Sequence, residues 1–204
     1  MKRIEKVTML TENPFVNLYE LDAKKLNGEL FKYYFASRGR GENLKIHTRE
    51  NHPEGVVIYG VCGEKHDRIV LVRQFRFPIN DYIYELPAGL VDQGETFEET
   101  GIREFKEETG MSLELYQGGN KAYRRPFYTT VGLTDESITI VYGYAKGNPS
   151  TDLMEDTEDI QVVLADKTEA KRILREEKVA MKCSLLLMQF LQSTEENPFQ
   201  FLED

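Results

Sequence analysis

The chain has 204 residues, 40% of them hydrophobic and 11% aromatic, enough for one well-filled core with a small appended subdomain. A formal charge of −9 and a pI near 5.0 speak against a nucleic-acid polymer or an anionic membrane as partner. The opening run MKRIEKVTML has no signal-peptide core and the longest apolar run, 185–191, is too short to cross a bilayer, so a cytoplasmic location without membrane insertion is expected.

In chain order, residues 15–21 and 31–38 have the composition of β-strands joined by a turn at Asn27 and Gly28. A polar stretch, 39–54, separates them from the remainder of the chain. Gly55–Cys62 and residues 68–73 then form a pair of β-rich runs around a turn at 63–67, and a third run, 82–86, leads into Pro87, Ala88 and Gly89. Beyond a central acidic segment come strands at 136–144 and 159–164, separated by the polar loop 145–158. Residues 167–177 and 180–192 have helical periodicity. Strands on both sides of one central helix, with helices closing the chain, predict a mixed sheet sandwiched by helices, an α/β/α arrangement.

The densest chemical signal lies at 89–111. Thr96 with Glu99 makes a capping box and Gly110 a stop, which brackets a helix over Phe97–Thr109. On it Glu104 and Glu108 stand one turn apart, with Glu107 three residues from Glu104, and like charges at such spacing cost a few tenths of a kcal/mol each. Arg103, four residues before Glu107, can pair with it, which leaves Glu104 and Glu108 for a hard cation such as Mg2+. Gly101 inside the helix costs about 1 kcal/mol against Ala, so a neighbouring element should pack closely there. Taken alone, the acidic run would be a solvated helix face; its complete bracketing argues for a site.

Gly89, Glu95, Arg103, Glu104, Phe105, Glu107, Glu108, Gly110 and Met111 fill every fixed position of G-x5-E-x7-R-E-apolar-x-E-E-x-G-apolar, which resembles the Nudix box. The runs VRQFRFP at 72–78 and ELPAG at 85–89 look like the ADP-ribose pyrophosphatase branch of that superfamily. The resemblance implies a Nudix α/β/α sandwich at 55–194, an N-terminal β-subdomain at 1–54 that dimerises, and a C-terminal tail at 195–204. It implies that the carbonyl of Ala88 and the carboxylates of Glu104 and Glu108 hold Mg2+, with Mn2+ as a substitute. Glu107 belongs to the same shell and, with Arg103, to the catalytic set; Glu95 supports the loop. Arg76, with Arg73 in the same run, matches the diphosphate-binding position, and Glu85 lines the site. The base comes from the loop before the last strand, where Glu158 aligns best and Glu155 second, against the alternative of a merely solvated acidic loop.

The reaction implied is attack of water on the pyrophosphate of a nucleoside diphosphate sugar, most simply ADP-ribose to AMP and ribose 5-phosphate. A UDP- or GDP-sugar is the alternative substrate, and a non-hydrolytic nucleotide-sensing domain the alternative class. Counting from the box places a proline at Pro126, but local context sets Val131 where the branch carries its proline, which predicts looser selection. With no tryptophan, Tyr33, Tyr34 or Phe35 must stack the base if any of them does; each could instead be core. His47, His52 and His66 have no metal-ligand spacing, Ser37 and Ser184 no triad context, and Cys62 and Cys183 no metal spacing, so these thiols are expected to be buried and unpaired.

Overall fold

The structure is a computed structural model that describes residues 3–154 and 158–204. Along the chain run β1 (Ile4–Met9), β2 (Asn17–Lys24), β3 (Leu30–Ser37), the single-turn α1 (Lys45–Thr48), β4 (Gly55–Cys62), β5 (Arg68–Arg76), β6 (Asp81–Glu85) and β7 (Ala88–Leu90). After them come α2 (Phe97–Thr109), β8 (Ser112–Leu115), β9 (Phe127–Tyr128), β10 (Ser137–Lys146), β11 (Ile160–Ala165), α3 (Lys167–Glu176) and α4 (Met181–Gln192). The chain forms two compact units, one of residues up to Glu54 with Pro126–Ile138, the other of Gly55–Arg125 with Thr139–Asp204. No helix among the described residues is long and apolar enough to cross a membrane.

In the first unit β1, β2 and β3 form an antiparallel three-stranded sheet, with Asn17 opposite Ser37 and Lys24 opposite Leu30 across the Gly28 turn. The sequence reading missed β1, whose alternation is blurred by charged residues at positions 5 and 6. One face of this sheet closes over Tyr19, Leu21, Phe35 and Leu44. Its polar anchor is Lys45, whose ammonium donates to Glu54 Oε2 at 2.7 Å and to Ser137 Oγ at 2.5 Å. Residues 126–138 join the unit through the pair β9–β10 and the hydrogen bond from Ala36 N to Leu133 O at 2.9 Å.

The second unit is built on a sheet with the strand order β11-β5-β4-β10-β8, to which β6 adds beside β5 and β7 beside β4. Every residue of β4, GVVIYGVC, is buried, as expected for a strand covered on both faces. Even-numbered residues of β4 and β5 meet α2: Val56, Ile58, Cys62 and Val70 pack with fully buried Phe105, together with Met111, Leu113, Val141 and Ala145. The odd-numbered Tyr59 faces the other way, into an aromatic cluster with Tyr142, Phe199 and Phe201. Residues 195–204 thus carry buried side chains, Phe199 stacking on Tyr116 at 4.3 Å and Leu202 O accepting from Asn120 N at 2.7 Å.

α2 forms over the same thirteen residues that its caps define. Thr96 accepts from Glu99 N at 3.2 Å, Glu99 accepts from Thr96 N at 2.9 Å, and Gly110 closes the helix at φ 71°. The close neighbour that Gly101 required is Val141: a Cβ on Gly101 would lie 3.0 Å from its Cγ2. Gly60 is tighter still, since a Cβ there would fall 2.9 Å from Phe105 Cε2. Gly60→Ala is therefore expected to cost about 1–3 kcal/mol by overpacking, read as a lowered urea midpoint. Combining it with Phe105→Leu should cost less than the two single losses added, because the same space is being contested.

Candidate active site

The caps of α2 fix its rotation, and the turn from Glu104 to Glu108 faces β7. Glu108 is 3% exposed, and its Oε2 accepts from Ala88 N at 3.0 Å. Position 89 is glycine because Glu104 occupies the space a side chain would need: a Cβ on Gly89 would lie 1.9 Å from Glu104 Cδ. Burial pushes the Glu108 carboxyl well above the usual carboxylate range; the fields of Glu158 and Glu104 add to this, while the Ala88 N–H and the Arg76 charge oppose it. Burial likewise raises Glu104, opposed by Arg103 and reinforced by Glu107 and Glu158. Three carboxylates, Glu104, Glu108 and Glu158, therefore act on one another in this corner.

Arg103 organises the acidic helix more widely than its spacing from Glu107 alone suggested. Its Nη1 donates to Glu107 Oε2 at 3.0 Å, and also to Glu104 Oε1 at 2.9 Å. Its Nε and Nη2 form a fork with Glu95, at 3.0 and 2.9 Å. Hydrogen bonds from Arg103, then from Thr100, hold Glu95 down to about 2. Glu104 is thus tethered through one oxygen, where the sequence reading left it unpaired.

Of the arginines on β5, Arg76 joins this corner and Arg73 does not. Strand alternation puts Arg76 on the α2 face with Glu85 of β6, and its Nε meets Glu85 Oε2 at 2.5 Å. Arg73, of opposite parity, lies 4.2 Å over the ring of Tyr82 and donates to Gln161 at 3.4 Å. The loop glutamates divide likewise: Glu158 is felt by both Glu104 and Glu108, whereas Glu155 lies outside the described residues. The position of Glu158 is set by its neighbour. Asp159 O accepts from Phe75 N at 3.0 Å, and the Asp159 carboxylate accepts from the Tyr82 hydroxyl. Sequence reasoning missed this tether, which joins residues 77 positions apart in the chain.

In the first unit Val131 is 67% exposed, and the Tyr33 hydroxyl donates to Gly132 O at 2.7 Å. Tyr34 is half exposed and donates to Glu20, while Phe35 is buried and stacks on Tyr19 at 5.3 Å, which makes it core. His47 and His52 are exposed, and His66 packs 4.6 Å from the Tyr144 ring. Cys62 and Cys183 are buried free thiols, and burial pushes Cys183 up to about 12.

The donors fit a hard divalent cation. Glu104 and Glu108 present oxygen ligands whose raised carboxyls gain from a nearby positive charge, beside the half-buried Ala88 and Gly89 of β7. Among the described residues no group of three His, Cys, Asp or Glu side chains could cage an ion unaided. That is the usual condition for Mg2+, which takes one or two carboxylates and completes its shell with water and phosphate oxygens.

A family model described as the NUDIX domain matches residues 51–182. The chain belongs to the Nudix family. It is 30% identical over 146 residues to the methanol dehydrogenase activator of Bacillus methanolicus, covering 71% of this chain and 75% of that protein. To the ADP-ribose pyrophosphatase of Bacillus subtilis (strain 168) it is 33% identical over 144 residues, covering 69% of this chain and 66% of that protein. A crystal structure of ADP compounds hydrolase shares the Nudix α/β fold, with a TM-score of 0.60 at 17% identity over 85% of this chain and 82% of the other. This Nudix chain is accordingly a hydrolase.

The raised carboxyls give this Nudix site a pH signature. Glu104 and Glu108 favour the proton more in the folded state than in the unfolded chain, so their contribution to stability is complete below the ordinary value of 4.5 and is lost as pH rises through the raised values. In EDTA, Glu108→Gln should melt above wild type, by a margin that widens as pH rises above the ordinary value of 4.5. Millimolar Mg2+ should shrink that margin by stabilising wild type alone. Melting curves with a pH-independent margin would show that the buried carboxylate carries no such cost.

Proposed function

We propose that the protein hydrolyses the pyrophosphate bond of nucleoside diphosphate sugars with a divalent cation, Mg2+ first and Mn2+ as substitute, and that ADP-ribose is cut to AMP and ribose 5-phosphate. The observation that carries this reading is the convergence of Glu108, Glu104 and Glu158 beside Ala88 and Gly89 of β7 with Arg76 in range, all within one unit. The name of the Bacillus subtilis relative supports the choice of ADP-ribose.

Glu104 and Glu108, with the carbonyl of Ala88, would hold the cation, and Glu107 would lie next to them under the control of Arg103. A bound divalent cation there would neutralise phosphate charge and lower the pKa of a coordinated water. Arg76 would turn its guanidinium fork to the diphosphate, exchanging part of its contact with Glu85 for phosphate oxygens. Glu158 would accept the proton of the attacking water. As the new P–O bond forms, the anhydride P–O bond breaks and the leaving phosphate departs with its electron pair. The anchoring of Asp159 would keep Glu158 near the reacting water.

The test is a panel of NDP-sugars, dinucleotides and nucleoside triphosphates assayed with Mg2+ and Mn2+ for nucleoside monophosphate or phosphate release. Glu104→Gln and Glu108→Gln should each lower kcat at least about a hundredfold without loss of fold. Glu158→Gln should lower kcat by about 10^2 to 10^4 with KM and metal affinity nearly unchanged, and near-wild-type turnover would remove it as the base. With Val131 in place of proline, at least one further NDP-sugar should be cleaved within about tenfold of ADP-ribose in kcat/KM, a gap of about 1.4 kcal/mol.

We also propose a homodimer formed through the N-terminal unit, whose Phe15, Leu26 and Leu30 are 74%, 83% and 61% exposed. Light scattering at micromolar concentration should give twice the 23.6 kDa of one chain. A monomeric mass would refute the dimer.

A further inference from the structure

Thr100 has no part in the mechanism described so far, yet it is a fully buried polar residue in the first turns of α2. A threonine hydroxyl at such a depth must find an acceptor, and the usual one in a helix is the carbonyl four residues back. That acceptor is present, Thr96 O at 3.0 Å, but Glu95 Oε2 is closer at 2.8 Å and carries charge. The hydroxyl has one proton, and a carboxylate outcompetes a carbonyl already engaged by Thr100 N at 3.0 Å. Thr100 therefore reaches out of the helix to a residue ahead of the N-cap.

Glu95 is the carboxylate that forks onto Arg103 Nε and Nη2. Glu95 is the shortest-range hold on that side of Arg103, with Leu90 O at 3.4 Å and Asp92 Oδ2 at 3.6 Å farther from Nη2, so what fixes Glu95 governs how much of the guanidinium reaches Glu104. With Nε and Nη2 drawn to Glu95, Nη1 alone is shared between Glu104 Oε1 and Glu107 Oε2. Were Glu95 free to swing, the guanidinium could settle more fully on Glu104 and compete for the oxygens that a cation needs.

We propose that Thr100 is a positioning residue: its buried hydroxyl locks Glu95 so that Arg103 restrains Glu104 without neutralising it. This rests on the reading of Glu104 as a metal ligand in a pyrophosphatase. Thr100 acts through Glu95 and Arg103 and touches neither substrate nor cation.

Two variants separate this role from packing. Thr100→Val keeps the shape and removes the hydroxyl; Thr100→Ser keeps the hydroxyl and removes a methyl group. Direct Mn2+ titration of the purified protein by calorimetry, without substrate, is the first readout, and kcat and KM for ADP-ribose at saturating Mg2+ are the second. The expected pattern is crossed. Thr100→Val should weaken Mn2+ binding about threefold or more and lower kcat about five- to tenfold, with KM within twofold and Tm close to wild type. Thr100→Ser should match wild type in Mn2+ affinity and kcat although its Tm is the lower of the two. If wild type binds Mn2+ and turns over ADP-ribose and Thr100→Val does both equally well, the positioning role is wrong and the proposed function stands. If activity instead tracks Tm, with serine the more impaired variant, Thr100 is a packing residue only. A wild type that neither binds Mn2+ nor cleaves any NDP-sugar would overturn the proposed function itself, and this inference with it.

Discussion

The arrangement depends on how one guanidinium is shared among crowded carboxylates. Helix α2 places Glu104, Glu107 and Glu108 within one turn, where their mutual repulsion costs a few tenths of a kcal/mol per pair and raises the carboxyls that are also buried. Arg103 resolves this unevenly. Glu95 takes a fork, Glu104 and Glu107 share a single nitrogen, and Glu108 is reached by none of the Arg103 bonds. The charge is most completely balanced at Glu95, ahead of the helix, and least balanced at the buried end beside Ala88. The site proposed to take a cation is thereby left with carboxylate charge that its own ion pairs do not balance. The rest of the fold serves to hold that imbalance in place, through the capping box, the Phe105 core and the close approach of β7.

Much of this was legible in the sequence because the central signals are local. A capping box and a glycine stop need only a few residues each, and they delimited α2 without error. The buried strands β4 and β5 announced themselves as unbroken apolar runs. What escaped, besides β1 with its charged residues, were short strands: β7, β8 and β9 have three, four and two residues, and their pairing is decided by partners far along the chain. The association of residues 126–138 with the N-terminal sheet is equally non-local, and no pattern inside that segment encodes it.

For the site, motif spacing identified the acidic helix and the segment at Ala88 and Gly89 that it faces, but not the allocation of hydrogen bonds. Arg73 and Arg76 look equivalent in the run VRQFRFP, and only strand parity separates them: three residues apart on a strand means opposite faces. The parity was available from the sequence and was outweighed by their nearness to each other. Thr100 and Tyr82 were invisible for a different reason. Their hydroxyls act on Glu95 and Asp159, and a hydroxyl's partner is a matter of tertiary distance.

The contact between position 89 and Glu104 also bears on how such a site can change over time. Any side chain added at 89 would occupy space filled by the Glu104 carboxylate, so a substitution there displaces that carboxylate from its place. Shortening residue 104 would free that space while removing the carboxylate. The two positions are therefore coupled, and what a substitution at 89 does depends on the length of the side chain at 104. A lineage that abandons hydrolysis can cross to a new pair of residues, and the return path must then restore the glycine before the glutamate.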